Sequence, residues 1–164
     1  MLARVLVLFA ACTGLALPQA PQSQPVLAVT GDVLSPLQWK AEDLRRMPRQ
    51  TVSVREKDGT SAQYEGAPLR EILSQAGAPL GKELRGKALA TYVLAKGRDG
   101  YEALFGLPEV DAAFANEIIL VADKRNGEPL PASQGPFRLV CPNDKAGARS
   151  VKMLQTLELV RLRK

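Results

Sequence analysis

Apolar and polar positions alternate in short runs along most of the chain, and turn residues interrupt them often, a pattern of strands with few helices. Leu27 and Val29, followed by Thr30 and Gly31, read as a first strand. After Trp39, residues 41–47 read as a short helix stopped by Pro48, with acids leading and bases trailing as its dipole favours. Residues 51–54 and 61–64 flank Asp58-Gly59, a β-hairpin whose turn needs positive φ. Residues 68–77 predict a helix with Pro68 in its first turn and Gly77 beyond its end. Residues 88–95 read as a strand, 97–100 as a polar turn, and the run to Phe105 as the next strand. A single helical turn is expected at 107–111. Residues 118–122 form an apolar run of buried-strand type before the Asn126-Gly127 turn. The extended segments 137–141 and 151–162 complete the set, with Leu157 and Leu159 inward and Glu158 and Arg161 outward. The fold class is therefore α+β: one mostly β, mixed-sheet domain over 26–164 with two or three short helices.

The start of the chain follows another pattern. A basic Met1 to Arg4 precedes residues 5–17, which are apolar except for Thr13 and Gly14. That run is too short to anchor in a bilayer and suits an export signal, expected over 1–20, with Gly14 and Ala16 as a −3/−1 cleavage pair. Phe9-Ala10-Ala11-Cys12 loosely resembles a lipobox, so a lipoprotein-type signal with lipidated Cys12 is the alternative. Pro18, Pro21 and Pro25 argue against a docked helix here, and 21–25 read as a Gln/Pro/Ser linker. The expected location is periplasmic or secreted.

Composition narrows the chemistry. The 164 residues are 46% hydrophobic and 24% charged, as in ordinary globular domains. With no histidine, His-ligated zinc, His-ligated haem and Ser-His or Cys-His nucleophile pairs are excluded. The two cysteines, Cys12 and Cys141, cannot make a four-cysteine metal site. Loss of the signal would remove Arg4 from the net charge of +5 and leave Cys141 as the single thiol, read as an inert core residue. The modest, dispersed charge and few aromatics argue against nucleic acid.

The most suggestive stretch is Lys145-Ala146-Gly147-Ala148-Arg149-Ser150-Val151-Lys152. Gly147 lets a ligand approach the backbone, and Arg149, Ser150 and Lys152 offer a planar fork, a hydroxyl and an ammonium for an anion. The plain alternative is a solvated loop entering the last strand. Arg138 in the preceding strand is a further candidate, whose direction periodicity does not decide. The acids show no spacing of a glycosidase pair or a metal loop, and no Ser-x-x-Lys motif is present.

The ordered set Gly31-Asp32-Val33, Met47-Pro48-Arg49, Tyr64-Glu65-Gly66-Ala67-Pro68-Leu69, Asp99-Gly100-Tyr101, Asn126-Gly127-Glu128-Pro129-Leu130, Gly135-Pro136-Phe137-Arg138-Leu139-Val140 and Gly147-Ala148-Arg149-Ser150-Val151-Lys152 resembles the sulfite-oxidase-type molybdopterin-binding domain. The resemblance runs from Val26 to about Leu159. It implies a mixed α+β fold and a pterin phosphate held by Arg138, Ser150 and Lys152, with Arg149 as neighbour. It also implies a cysteine ligand to molybdenum between the hairpin strands, where this chain has Val54-Arg55-Glu56-Lys57-Asp58-Gly59-Thr60. Without that thiolate the expectation is a non-catalytic binding or accessory protein that holds no cofactor or keeps only an anion site. The alternatives are a molybdopterin-dependent oxidoreductase that binds its cofactor without a protein thiolate, and a structural or protein-interaction domain. The expected partner is another protein, a redox or membrane component, with membrane contact only through a lipidated Cys12.

Overall fold

The structure, a computed structural model, describes residues 26–163. The signal and linker expected over 1–25 lie outside the described residues. The chain runs through β1 (Val26–Gly31), β2 (Leu37–Lys40), α1 (Ala41–Arg46), β3 (Gln50–Arg55), β4 (Ser61–Pro68) and α2 (Leu69–Gln75). It continues through β5 (Thr91–Gly97), β6 (Glu102–Gly106), α3 (Leu107–Val110), β7 (Leu120–Arg125), β8 (Glu128–Pro129), β9 (Arg138–Val140) and β10 (Leu154–Arg161). The mixed sheets and three short α-helices are the expected α+β architecture.

Two sheets share one core. The first has the order β2-β1-β10-β5-β6, with β1 and β10 parallel and the other pairs antiparallel. The second has the order β3-β4-β7-β8, with β9 also paired to β7. Leu27, Val29, Val93, Phe105, Leu157 and Leu159 from the first sheet meet Ala67, Val121 and Leu139 from the second, with Leu69, Ile72 and Leu73 of α2 in the same cluster. Each such aliphatic or aromatic side chain contributes about 1.5–3 kcal/mol by leaving water. Successive residues of β7 alternate between two environments: Val121 enters this core, while Leu120 and Ala122 join Ala62, Tyr64, Leu130 and Val140 in a smaller cluster on the other face.

Glycine is required where the sheets are tightest. A Cβ on Gly66 would stand 2.0 Å from the Val121 carbonyl oxygen, and the register between β4 and β7 shifts at Glu65/Gly66. The Asn126-Gly127 turn has φ of 52° and 84°, so both residues take the left-handed conformation.

Several boundaries differ from the sequence reading. Residues 86–90 form a 3₁₀ segment, so the strand expected from Ala88 begins at Thr91. Pro68 closes β4 and caps α2 from outside its first turn. The run at Ile118 begins too early: Ile118 is exposed, and β7 continues through the polar residues to Arg125, which pairs with Tyr64 and Glu128. Strand β2 was hidden because its four residues are only half covered.

Candidate functional site

Arg138 is the centre of the site. Cross-strand register aligns Gly66 of β4 with Ala122 of β7, and Ala122 with Arg138 of β9. This puts Arg138 on the same side as Val140 and the smaller cluster, and it is only 6% exposed. Its Nη1 donates to the Tyr64 hydroxyl and to Gln134 Oε1 at 2.7 Å. The guanidinium also lies over the Tyr64 ring, 4.7 Å from the centroid. Its Nε is buried with no hydrogen-bond partner among the described residues. A buried cation with an unspent donor is an energetic liability unless an anion supplies the acceptor.

A cavity of about 420 Å³ opens beside it, within the size range of small-molecule sites. Val54 and Arg55 at the end of β3 and Glu56, Lys57 and Asp58 of the turn after it line one part. Gly147, Ser150 and Lys152, with Arg125, Gln134 and Arg138, line the rest. Thus Arg138, Ser150 and Lys152 converge on one space. Five cationic side chains face two carboxylates there, a net excess that concentrates anions. A second cavity of about 620 Å³ shares residues 54–57 and Gly147 with the first and extends beneath Pro142, Asp144, Lys145, Ala146 and Ala148. A Cβ on Gly147 would meet no protein atom within 4 Å, and its φ lies outside the glycine-favouring region. Protein packing therefore does not demand glycine there, and the space beside its backbone is open to a ligand.

Ser150 is buried and its Oγ accepts from the Cys141 backbone N–H at 3.2 Å, which fixes the hydroxyl's place in the wall. Arg149 is different. It lines neither cavity. Its Nε and Nη2 bind Asp144 at 2.9 and 2.7 Å, its Nη1 binds Glu109 at 2.7 Å, and its guanidinium lies 5.0 Å from the Phe105 ring centre. The hydrogen bonds it donates to Asp144, then to Glu109, push its pKa up. The Tyr101 hydroxyl adds a bond to the Ala148 carbonyl at 2.5 Å. Arg149 thus ties the loop 144–149 to β6 and α3, which positions Ser150 and Lys152 from behind.

Three residues of the site escaped the sequence reading: Glu56, Tyr64 and Arg125. Tyr64 is fully buried, and its hydroxyl donates to Glu56 Oε1 at 2.6 Å. Burial first, and then this hydrogen bond to Glu56, raise its pKa. Glu56 Oε1 lies 3.8 Å from Arg125 Nε and 3.9 Å from Arg138 Nη1. The Tyr64 motif and the Arg49 motif serve different ends. Arg49 clamps Glu65 at 2.8 Å and Asp123 at 2.6 Å, fastening the start of β3 to β4 and β7.

The geometry fits the phosphate of a molybdopterin and does not fit its metal. Arg138 with its orphaned Nε, Ser150 and Lys152 supply donors suited to a phosphoryl group. Molybdenum wants a thiolate, and the hairpin turn offers none. Cys141 is buried, and desolvation pushes its thiol up to about 12. Among the described residues no cluster of three or more Cys, Asp or Glu side chains forms a metal site.

The family described as the oxidoreductase molybdopterin binding domain matches residues 15–164. No curated protein matches the chain. Among solved structures, the fold is similar to the crystal structure of the sulfane dehydrogenase SoxCD from Paracoccus pantotrophus, with a TM-score of 0.65 and 24% identity. That match covers 82% of this chain and 38% of the other, so this chain spans well under half of the larger protein.

Proposed function

The chain belongs to the oxidoreductase molybdopterin-binding domain family, and from that premise we propose that it is a non-catalytic binding or accessory member that retains the anion site and lacks the metal site. The observation that carries this reading is a single cavity lined by Arg138, Ser150 and Lys152 together with hairpin residues 54–58, none of them a cysteine. The ligand class is a phosphate-type anion, with the phosphate of a molybdopterin as the family's example. Arg138 supplies a buried guanidinium, Ser150 a hydroxyl, and Lys152, which is exposed, an ammonium able to move onto the ligand. No redox step is assigned to these residues. Molybdenum would supply oxygen-atom or electron transfer in a metal-bearing relative, and the thiolate to hold it is missing here.

The export signal read over 1–20 puts this function in the periplasm or outside the cell, where a protein partner is the expected target.

The test is elemental and pterin analysis of protein purified from a host that makes the molybdenum cofactor, together with thermal shifts in inorganic phosphate. Metal-free protein with a phosphate-dependent rise in Tm, lost in K152A, is the expected result. Molybdenum near one per chain would overturn the non-catalytic reading in favour of an oxidoreductase that dispenses with the protein thiolate. A phosphate shift unchanged in K152A would remove the site.

A further inference from the structure

Arg125 stands in the cavity because β7 carries one extra residue. Leu120 and Ala122 point to the smaller cluster, and strict alternation would send Lys124 to that side and Arg125 away from it. The register shifts instead between Glu65 and Gly66: Gly66 pairs with Ala122, Glu65 with Lys124, and Tyr64 with Arg125. Asp123 is left over as a bulge, and Arg125 comes to the face that carries Tyr64, Ala122 and Arg138. Bulges beside binding sites re-aim side chains in this way. Here the result is a guanidinium in the wall of the cavity of about 420 Å³. Its Nε is buried without a hydrogen-bond partner among the described residues, and the Glu56 carboxylate stays 3.8 Å away from it. Charge holds this fork in place, and that nitrogen's donor is unspent.

Arg138, Ser150 and Lys152 already offer one phosphoryl group a fork, a hydroxyl and an ammonium. Such a group carries up to about two negative charges, whereas the cavity sets five cationic side chains against Glu56 and Asp58. We propose that Arg125 holds a second phosphoryl group, so that the cavity takes a diphosphate with its first group on Arg138, Ser150 and Lys152. The two arginines come from different strands, yet both approach one atom: Glu56 Oε1 lies 3.8 Å from Arg125 and 3.9 Å from Arg138. Two forks that converge so closely suit neighbouring phosphoryl groups of one ligand, each able to take a bidentate contact. A monophosphate ester fills the first position alone and binds more weakly, so it remains a ligand. This inference rests on the anion-site reading above and adds how many phosphoryl groups the site takes.

The experiment is calorimetric titration of the purified wild-type, R125Q and K124Q proteins with inorganic phosphate and inorganic pyrophosphate. K124Q is the charge control: it removes one cation from the adjacent residue of β7, which pairs with Glu65 and lines neither cavity. Wild type is expected to bind pyrophosphate about tenfold or more tightly than phosphate. R125Q should lower that preference to about threefold or less and leave phosphate affinity within about twofold of wild type. K124Q should keep the wild-type preference. A preference that falls equally in K124Q and R125Q would reduce the effect to long-range charge and overturn the inference. So would an R125Q protein that keeps the full preference, or one that loses phosphate and pyrophosphate affinity in equal measure; in each case the anion site itself would stand. Equal wild-type affinities for the two anions would overturn it even if R125Q failed to fold. Binding of neither anion to wild type would defeat the underlying site together with this inference.

Discussion

The Arg138 guanidinium carbon sits 4.7 Å from the centre of the Tyr64 ring, and the same arginine donates to that tyrosine's hydroxyl. One buried side chain thus serves as a stacking surface and as a relay between a cation and Glu56. Y64F keeps the ring and removes the relay. Urea unfolding should show a loss of about 1–3 kcal/mol, because Arg138 and Glu56 each lose a partner in a poorly solvated place. A Y64F protein as stable as wild type would show the hydroxyl to be idle. In an alkaline absorbance titration the wild-type protein should show a phenol ionising above its ordinary 10.0 that Y64F lacks, since burial and the bond to Glu56 both hold the proton on.

Arg149 and Lys152 should separate cleanly. R149Q loses the ion pairs to Asp144 and Glu109 and the stacking on Phe105, and should cost about 1 kcal/mol of stability, since the pairs are partly exposed. Its phosphate affinity should stay close to wild type, because Arg149 lines neither cavity, while hydrogen exchange at residues 144–149 should rise. K152A should do the reverse, with stability near wild type and phosphate binding weakened. Identical behaviour of the two variants would contradict the division of labour.

Asp111 is a buried carboxylate with a structural task. Burial pushes its pKa up, and the N–H groups of Gly81 at 2.5 Å and Ala113 at 2.8 Å outweigh that, so the carboxyl titrates below 3.8. Above 3.8 the folded and unfolded chains both carry the charge and the full stabilisation is present. As pH falls through the lowered folded value that stabilisation is lost. D111N should cost about 1–3 kcal/mol at neutral pH and flatten the acid limb of the stability profile. An unchanged acid limb in D111N would sink this assignment.

Cys141 works at the other end of the pH scale. Its thiol ordinarily titrates near 9.0, and burial first, then Asp144, push it up to about 12. Between those values the native state keeps a proton that the unfolded chain has lost, so stability falls as pH rises through that window. C141A should remove this part of the alkaline slope. A maleimide at about pH 7 should leave native Cys141 unlabelled and label it in denaturant. Rapid native labelling would mean an accessible thiolate.

Much of the fold was legible because its punctuation is local. Asp58-Gly59, Asn126-Gly127 and Pro68 with Gly77 mark turns and a helix through backbone preferences that need no tertiary context. The start of β5 was placed at Ala88 rather than Thr91 because Leu89 suits a strand and a half-exposed 3₁₀ turn equally. In the site, Ser150 and Lys152 stood out in the basic stretch and Arg138 in the strand before it, the family resemblance gave them a phosphate to hold, and all three line one cavity. Arg149 looked equivalent in sequence, and only the positions of Asp144 and Glu109 show where its guanidinium goes. Glu56 was invisible because a glutamate beside Asp58-Gly59 reads as a solvated turn residue. Its meaning depends on Tyr64, and on Arg125 and Arg138 from two other strands.

The first sheet has β10 at its centre, between β1 and β5. Chain order and spatial order therefore run against each other during synthesis. While the nascent chain is still short of Leu154, β1–β2 and β5–β6 are two separate ribbons, each with a bare edge where the central strand belongs. The main core, which includes Leu157 and Leu159, closes only when the strand made last among those described arrives. A domain wired in this way stays open until β10 is made, with two ribbons holding unpaired edges for a strand that lies far along the chain.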